Sequence, residues 1–391
     1  MRILMLVATT VATDTRVLRE ARTLVGAGHE VHIIGRSVPD TFQPDPGITV
    51  SSIGTSSVFR PEGGQSLAGR KLSPPMKLAR WALLPQHRRS AFGRWADGAL
   101  ADSRGRQFDA VHAHDFTALE AGATLADERG VPLVYDSHEL WTGLPREYRP
   151  TPLQDRRERR VEQRLGSRAD AVITVGDGVA GALRDQYGWD HVTVVRNTFP
   201  LNPGKPDVPD EPTGFVYAGR VAAFRELEAI AAASHLVDLP VTIVGPADDT
   251  WLGTFDPGRA TVLPALPLDE ASRLMQANGI SLVTHSDRWA NHRLAQPNKL
   301  FHAVGLGLPV VATDTGELAK VVREHDLGAL YPPGDAAGLA GAMRRVVHDF
   351  QRYACNVEAA REALSWDADA ARLVAVYARL FSGAAGTRGE G

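Results

Sequence analysis

Short, almost wholly apolar runs recur along the chain, each followed by small or polar residues and then by a segment with helical spacing. The first, Arg2-Ile3-Leu4-Met5-Leu6-Val7, is too uniformly apolar for a half-exposed strand and reads as one buried on both faces. From Arg16 to Ala27, Val17, Leu18, Ala21, Leu24 and Val25 share one helical face, and Gly28 supplies a stop. Val31-His32-Ile33-Ile34 is the next strand. Strand, helix and strand within about thirty residues make a parallel crossover unit.

The alternation resumes with strands at Ala110–His114, Pro132–Tyr135, Ala171–Val175 and Val192–Val195, and helices over Ala118–Arg129 and Gln154–Ser167. A proline-rich run between Phe199 and Thr213 reads as a linker. Strands at Gly214–Tyr217, Val241–Val244, Ala260–Leu263, Ile280–Thr284, Pro309–Ala312 and Ala329–Tyr331 then repeat the logic. The pattern predicts an α/β protein of two doubly wound, Rossmann-like domains, an N-terminal one over 1–200 and a C-terminal one over 214–366, with 201–213 between them. An amphipathic helix over 367–382 and a polar, disordered tail over 383–391 close the chain. Because such sheets bind ligands at the carboxyl ends of their strands, two facing domains are expected to place a site in the cleft between them.

Composition narrows the class. With 391 residues, 43% hydrophobic and 23% charged, the chain suits two ordinary cores. A single cysteine, Cys355, excludes an internal disulfide, and no signal-like or membrane-spanning run is present, so a cytoplasmic location is expected. The net charge of −3 and the lack of an aromatic-basic module argue against nucleic acid. One stretch stands apart: Arg60–Arg106 holds ten Lys and Arg against three acids. Within it, 74–94 interleaves Met76, Leu78, Trp81 and Phe92 with Lys77, Arg80, Arg88, Arg89 and Arg94, a pattern suited to peripheral contact with an anionic membrane surface, although Pro74, Pro75 and Pro85 interrupt it.

Several segments carry a likeness in order as well as content: Thr15–Glu20 with Gly28–Val31, Asp109–Asp115, Tyr135–Glu139, Tyr217–Arg220, Val244-Gly245, Pro297–Phe301 and Gly307–Ala312, closed by Trp366-Asp367. Over nearly its whole length the chain resembles the retaining glycosyltransferases of family 4, which have the GT-B fold. The resemblance implies transfer of a sugar from a nucleotide-diphosphate sugar to a glycan, lipid-linked or small-molecule acceptor, with no metal and no other cofactor. It also implies that the last helix packs back on the first domain. A leaving diphosphate needs cationic side chains or a helix N-terminus to neutralise it. Arg220, Arg225, Lys299 and the amides at Asn298 and Leu300 are the expected donors, and backbone groups at Ala265 and Leu266 are the expected base contacts. His114, at a strand's carboxyl end, matches the family's sugar-contacting histidine, and Arg16 is expected to face the cleft. His138 and Glu139 fall where the family lines its acceptor side.

Two departures stand out. Relatives carry two glutamates eight positions apart, and here these positions are Leu294 and His302. An imidazole can make one hydrogen bond to a ribose hydroxyl but not the two-point contact of a carboxylate, and leucine makes neither. Either other groups in Ser286–Gln296 hold the sugar, or the chain is a weakened relative that binds a nucleotide sugar without transfer. A sugar-nucleotide epimerase of the same architecture is the chemical rival. A dehydrogenase is disfavoured because no Gly-x-Gly-x-x-Gly follows the first strand.

Overall fold

In the computed structural model, residues 1–54, 93–144, 152–201 and 206–386 are described, the side chains of 152 and 383–386 excepted. Most of the basic segment 74–94, and with it the expected membrane contact, lies outside them. No helix among the described residues is long and apolar enough to cross a membrane.

The chain divides into two units. The first gathers Met1–Thr174, Leu183–Thr193 and Arg372–Gly391. Its sheet comprises Arg2–Val7 (β1), Glu30–Arg36 (β2), Ile48–Ile53 (β3), Ala110–His114 (β4), Leu133–Ser137 (β5), Ala171–Thr174 (β6) and Val192–Val194 (β7), in the order β3-β2-β1-β4-β5-β6-β7. The pairs from β3 across to β6 are parallel. Because βαβ helices cover a parallel sheet on both faces, its central strands must be apolar throughout; β1, from Ile3 to Val7, and all of β4 and β5 are buried. The sequence pattern missed β3, whose Ile-Thr-Val-Ser-Ser-Ile is only partly apolar, as suits the outermost strand of the sheet among the described residues.

The closing helix runs from Trp366 to Gly386, past the start of the expected tail at 383. Its part from Arg372 onward clusters with the first unit, where Tyr377 is fully buried with its hydroxyl 2.9 Å from His112 Nδ1.

The second unit, Val175–Ala182 with Val194–Ala371, has a six-stranded sheet. Its strands are Gly214–Ala218 (β8), Val241–Val244 (β9), Thr261–Leu263 (β10), Gly279–Val283 (β11), Val310–Thr313 (β12) and Gly328–Tyr331 (β13), in the order β10-β9-β8-β11-β12-β13, all parallel. A core cluster built around Phe215, Tyr217, Ile230, Ile243 and Met343 is joined by a second around Val216, Leu300, Phe301, Val310 and Leu318. In each unit the winding reverses direction once, between β1 and β4 and between β8 and β11, and a doubly wound sheet opens its binding crevice at such a reversal.

Candidate functional site

At the carboxyl ends of β8 and β11 the second unit gathers cations. Tyr217 is buried and donates its hydroxyl to the carbonyl of Arg220, 3.0 Å away, which folds the chain over at the end of β8. Gly219 donates its amide to the Val244 carbonyl at 2.9 Å, and Gly245 lies so close that a Cβ there would sit 1.9 Å from the Gly219 oxygen. Gly245 also has φ +151°, which a side chain disfavours. These two glycines let the backbones of adjacent strands meet under the site, and a Cβ at Gly219 would press on the Lys299 stem at 3.1 Å.

Past β8, Phe224 and Glu226 take left-handed backbone angles, φ 63° and 62°, on either side of Arg225. Non-glycine residues in that region carry strain, which concentrates at functional sites. The Arg225 carbonyl accepts the Thr284 hydroxyl at 2.7 Å, which fixes the loop to the end of β11. Lys299, on the helix Asn298–Gly305, donates to the Thr284 carbonyl at 2.7 Å and stands 4.4 Å over the Tyr217 ring. Burial, and then the charge of Arg225, pull its ammonium down to about 7. Nearby, burial followed by Lys299, His292 and Arg225 takes His285 down to about 3, so its ring is neutral. Among the described residues no carboxylate forms an ion pair with Arg220, Arg225 or Lys299. Arg225 and Lys299, held together without an ion-paired carboxylate, form a site prepared for an anion, while Arg220 stands on the exposed loop past β8.

The helix N-terminus contributes less than expected. Asn298 is exposed, but the Leu300 amide donates to the Pro297 carbonyl at 2.9 Å and the Leu300 side chain is wholly buried in the core. Leu300 therefore supports the helix rather than contacting a ligand. His302 Nε2 lies 2.9 Å from Ser272 Oγ, and its ring stacks on Phe199. The Ser272 hydroxyl already donates to the Leu268 carbonyl, so the ring must donate to Ser272 and its other nitrogen is left as an acceptor. Ala265 is exposed and Leu266 half-buried in the stretch after β10.

The first unit holds its charges at the other reversal, and there they are paired. His112 and His114, two apart in β4, share a face and stack with centroids 4.3 Å apart. Asp136, in β5, is wholly buried and accepts Arg16 Nε at 2.9 Å and Arg16 Nη2 at 2.8 Å. The same carboxylate lies 3.1 Å from His114 Nδ1 and 2.9 Å from His138 Nε2. Arg16 also pairs with Glu20 at 2.9 Å. Arg16 is thus a correction: it is 3% exposed, and its guanidinium, expected to meet a ligand, is committed to two carboxylates inside the unit. Burial raises the Glu20 carboxyl to about 8. Although burial opposes its charge, Arg16 and then His138 hold Asp136 well below the carboxylate range.

Glu20, His112, His114 and Asp136 offer ligand atoms within 4.8 Å of one another. Two imidazoles and two carboxylates suit a divalent cation by composition. Here the Arg16 guanidinium already lies against both carboxylates, so a metal would have to share them with a fixed positive charge. Sequence reasoning singled out His114 and His138 but missed Asp136, Glu20 and His112. A carboxylate inside a strand buried along its whole length was the available signal.

Residues 13–202 match the family model described as Glycosyltransferase Family 4, and residues 214–349 match that of glycosyl transferases group 1. A glycogen synthase of Mycobacterium tuberculosis is 27% identical over 307 residues, covering 74% of this chain and 72% of that one. A D-inositol 3-phosphate glycosyltransferase of Jonesia denitrificans is 25% identical, covering 93% and 90%. Among solved structures, a sucrose-phosphate synthase from Thermosynechococcus elongatus superposes with a TM-score of 0.71 at 18% identity over 98% of this chain and all of that one. Anabaena Alr3699/HepE in complex with UDP gives 0.69 at 16%, over 97% and 100%. Matched by family models in both halves and folded as two parallel-sheet Rossmann-like domains, the chain belongs to the family 4, group 1 glycosyltransferases of GT-B architecture.

Proposed function

We propose that this protein is a metal-independent, retaining glycosyltransferase that takes a sugar from a nucleotide-diphosphate donor, with Arg225 and Lys299 holding the diphosphate as it leaves and Arg220 reaching it from the exposed loop. The observation that carries this reading is the pair Arg225 and Lys299, brought to one strand end with no ion-paired carboxylate among the described residues. In such a mechanism the protein stabilises charge and positions reactants rather than supplying a nucleophile. UDP or UDP-glucose occupies several solved structures of the same fold, which supports a nucleotide sugar as the partner. Ala265 and Leu266 are the proposed base contacts, Asn298 lies beside the diphosphate, and the acceptor nitrogen of His302 takes the ribose hydroxyl that relatives give to glutamate. The acceptor is a sugar-bearing or lipid-linked molecule handled in the cytoplasm, with 74–94 as the proposed membrane-facing segment.

Incubation with a panel of nucleotide sugars and sugar acceptors, followed by mass spectrometry, tests the reading. A glycosylated product and an equal amount of released nucleoside diphosphate are expected. Interconversion of free nucleotide sugars without an acceptor would identify an epimerase instead, and binding without turnover would identify a weakened relative.

Lys299 gives the site a second signature. Its depressed value near 7 leaves a large neutral fraction at mildly alkaline pH. A bound diphosphate places negative charge beside it and favours the ammonium. Binding is therefore expected to take up protons at about pH 8, seen in calorimetry as a heat that varies with the ionisation enthalpy of the buffer. A buffer-independent heat would remove Lys299 from the diphosphate site.

A further inference from the structure

His138 is held from both sides. Its Nδ1 lies 3.2 Å from Asp115 Oδ2, and its Nε2 lies 2.9 Å from Asp136 Oδ2. The His138 amide also donates to Asp115, whose own left-handed backbone, φ 60°, carries its carboxylate back toward β5. Carboxylates accept and do not donate, so a neutral ring would set a bare lone pair against one of them. His138 is therefore an imidazolium. His114 Nδ1 meets the same Asp136 oxygen at 3.1 Å and His138 Nε2 at 3.3 Å. The His138 Nε2–H goes to the charged and nearer acceptor, Asp136 Oδ2 at 2.9 Å, so a lone pair on His114 Nδ1 would be left facing that carboxylate oxygen; Nδ1 therefore carries the proton.

The consequence falls on the far side of the ring. His114 Nε2 is buried and has no hydrogen-bond partner among the described residues, and buried polar atoms without one call for an explanation. We infer that Asp136 and His138 are positioning residues that lock His114 into the Nδ1–H tautomer, so that Nε2 offers a lone pair to a hydroxyl of the sugar substrate. The histidine accepts a hydrogen bond and does not donate one. Arg16 keeps Asp136 ionised for this task, while Glu20, held protonated near neutrality by burial, His112, held neutral by burial, and Asp14 complete the surroundings of the two rings. Burial lowers His114 despite Asp136 and keeps its ring neutral, as an acceptor requires. The substrate half of the inference rests on the transferase reading; the tautomer stands on geometry alone.

Nitrogen NMR of the full chain labelled with 15N-histidine reads the tautomer directly, with His114→Gln and His138→Gln used to assign the signals. At neutral pH we expect protons on both His138 nitrogens and on Nδ1 alone of His114. An Nε2–H tautomer at His114, or a neutral His138, overturns the inference whether or not the protein is active. In Asp136→Asn an amide N–H can point at Nδ1 and shift the proton to Nε2. We expect kcat to fall at least about tenfold while UDP binding stays within about twofold of the parent. An unchanged kcat overturns the functional half. If that variant does not fold, the spectrum of the parent protein still decides the tautomer. Absence of transfer with every nucleotide sugar, with the spectrum as expected, defeats the transferase reading and leaves the tautomer standing.

Discussion

Replacing Lys299 by alanine is expected to lower kcat by roughly two to three orders of magnitude, the range seen when one charge-stabilising donor is removed from a reacting centre. The free protein should not suffer. Lys299 and Arg225 repel each other, and burial already drags the ammonium down to about 7, so its charged form opposes folding at neutral pH. The alanine variant should unfold at the same temperature as the parent or a few degrees above, against a loss of the packing between the lysine stem and the Tyr217 ring. Lys299→Met, which keeps that packing, should be the more stable of the two and equally slow. An Arg225→Ala, Lys299→Ala double variant should be less impaired than the product of the single effects, because both act on one diphosphate. Steady-state kinetics with the turned-over donor and thermal melts of all four proteins test this. A Lys299→Ala protein that keeps kcat while losing stability would make the lysine a structural residue.

The sequence exposes this site because its determinants are local. Apolar runs mark where strands end, Pro297 marks where a helix begins, and cations at such ends have few reasons other than an anion to gather. The paired network of the first unit is a different case. Arg16 and Glu20 are one turn apart on the helix Thr15–Gly26, flanking the apolar face of Val17, Leu18, Ala21 and Leu24, and periodicity alone assigns them to solvent. They are buried because Asp136 lies behind them, 120 residues along the chain from Arg16. Nothing local announces a partner at that separation. Leu300 failed in the opposite direction: its place at the start of the helix after Pro297 suggested a free amide, while that amide donates to the Pro297 carbonyl and the side chain turns into the core. Position along an element predicts where a backbone goes, and burial decides what a side chain can touch.

Replacing Asp136 by alanine should have the largest effect on stability. It leaves Arg16, in a buried region where water cannot substitute, without one of its two carboxylates, and leaves the half-buried His138 with Asp115 alone. Breaking a buried pair by removing one member costs about 3–5 kcal/mol. The loss should also depend on pH, with a sign that the network fixes. In the parent, Asp136 is depressed, so its contribution is complete above the unfolded carboxylate value of about 3.9 and fades only as pH falls through its lower folded value. His138 is raised, so its contribution is complete below about 6.5 and fades as pH rises through its higher folded value. Glu20, raised to about 8, likewise favours the fold in its protonated state, and that advantage shrinks from about 4.3 upward. Without Asp136, His138 gives up its proton more easily, and Glu20 loses a repelling neighbour and can ionise against Arg16. The folded variant then binds fewer protons than the folded parent near neutrality, so raising the pH penalises it less. Urea unfolding of both proteins at about pH 6 and about pH 8 should show a smaller gap in stability at the higher pH. A gap that stays constant or widens with pH would mean that, without Asp136, Glu20 does not ionise against Arg16 and His138 does not give up its proton more easily.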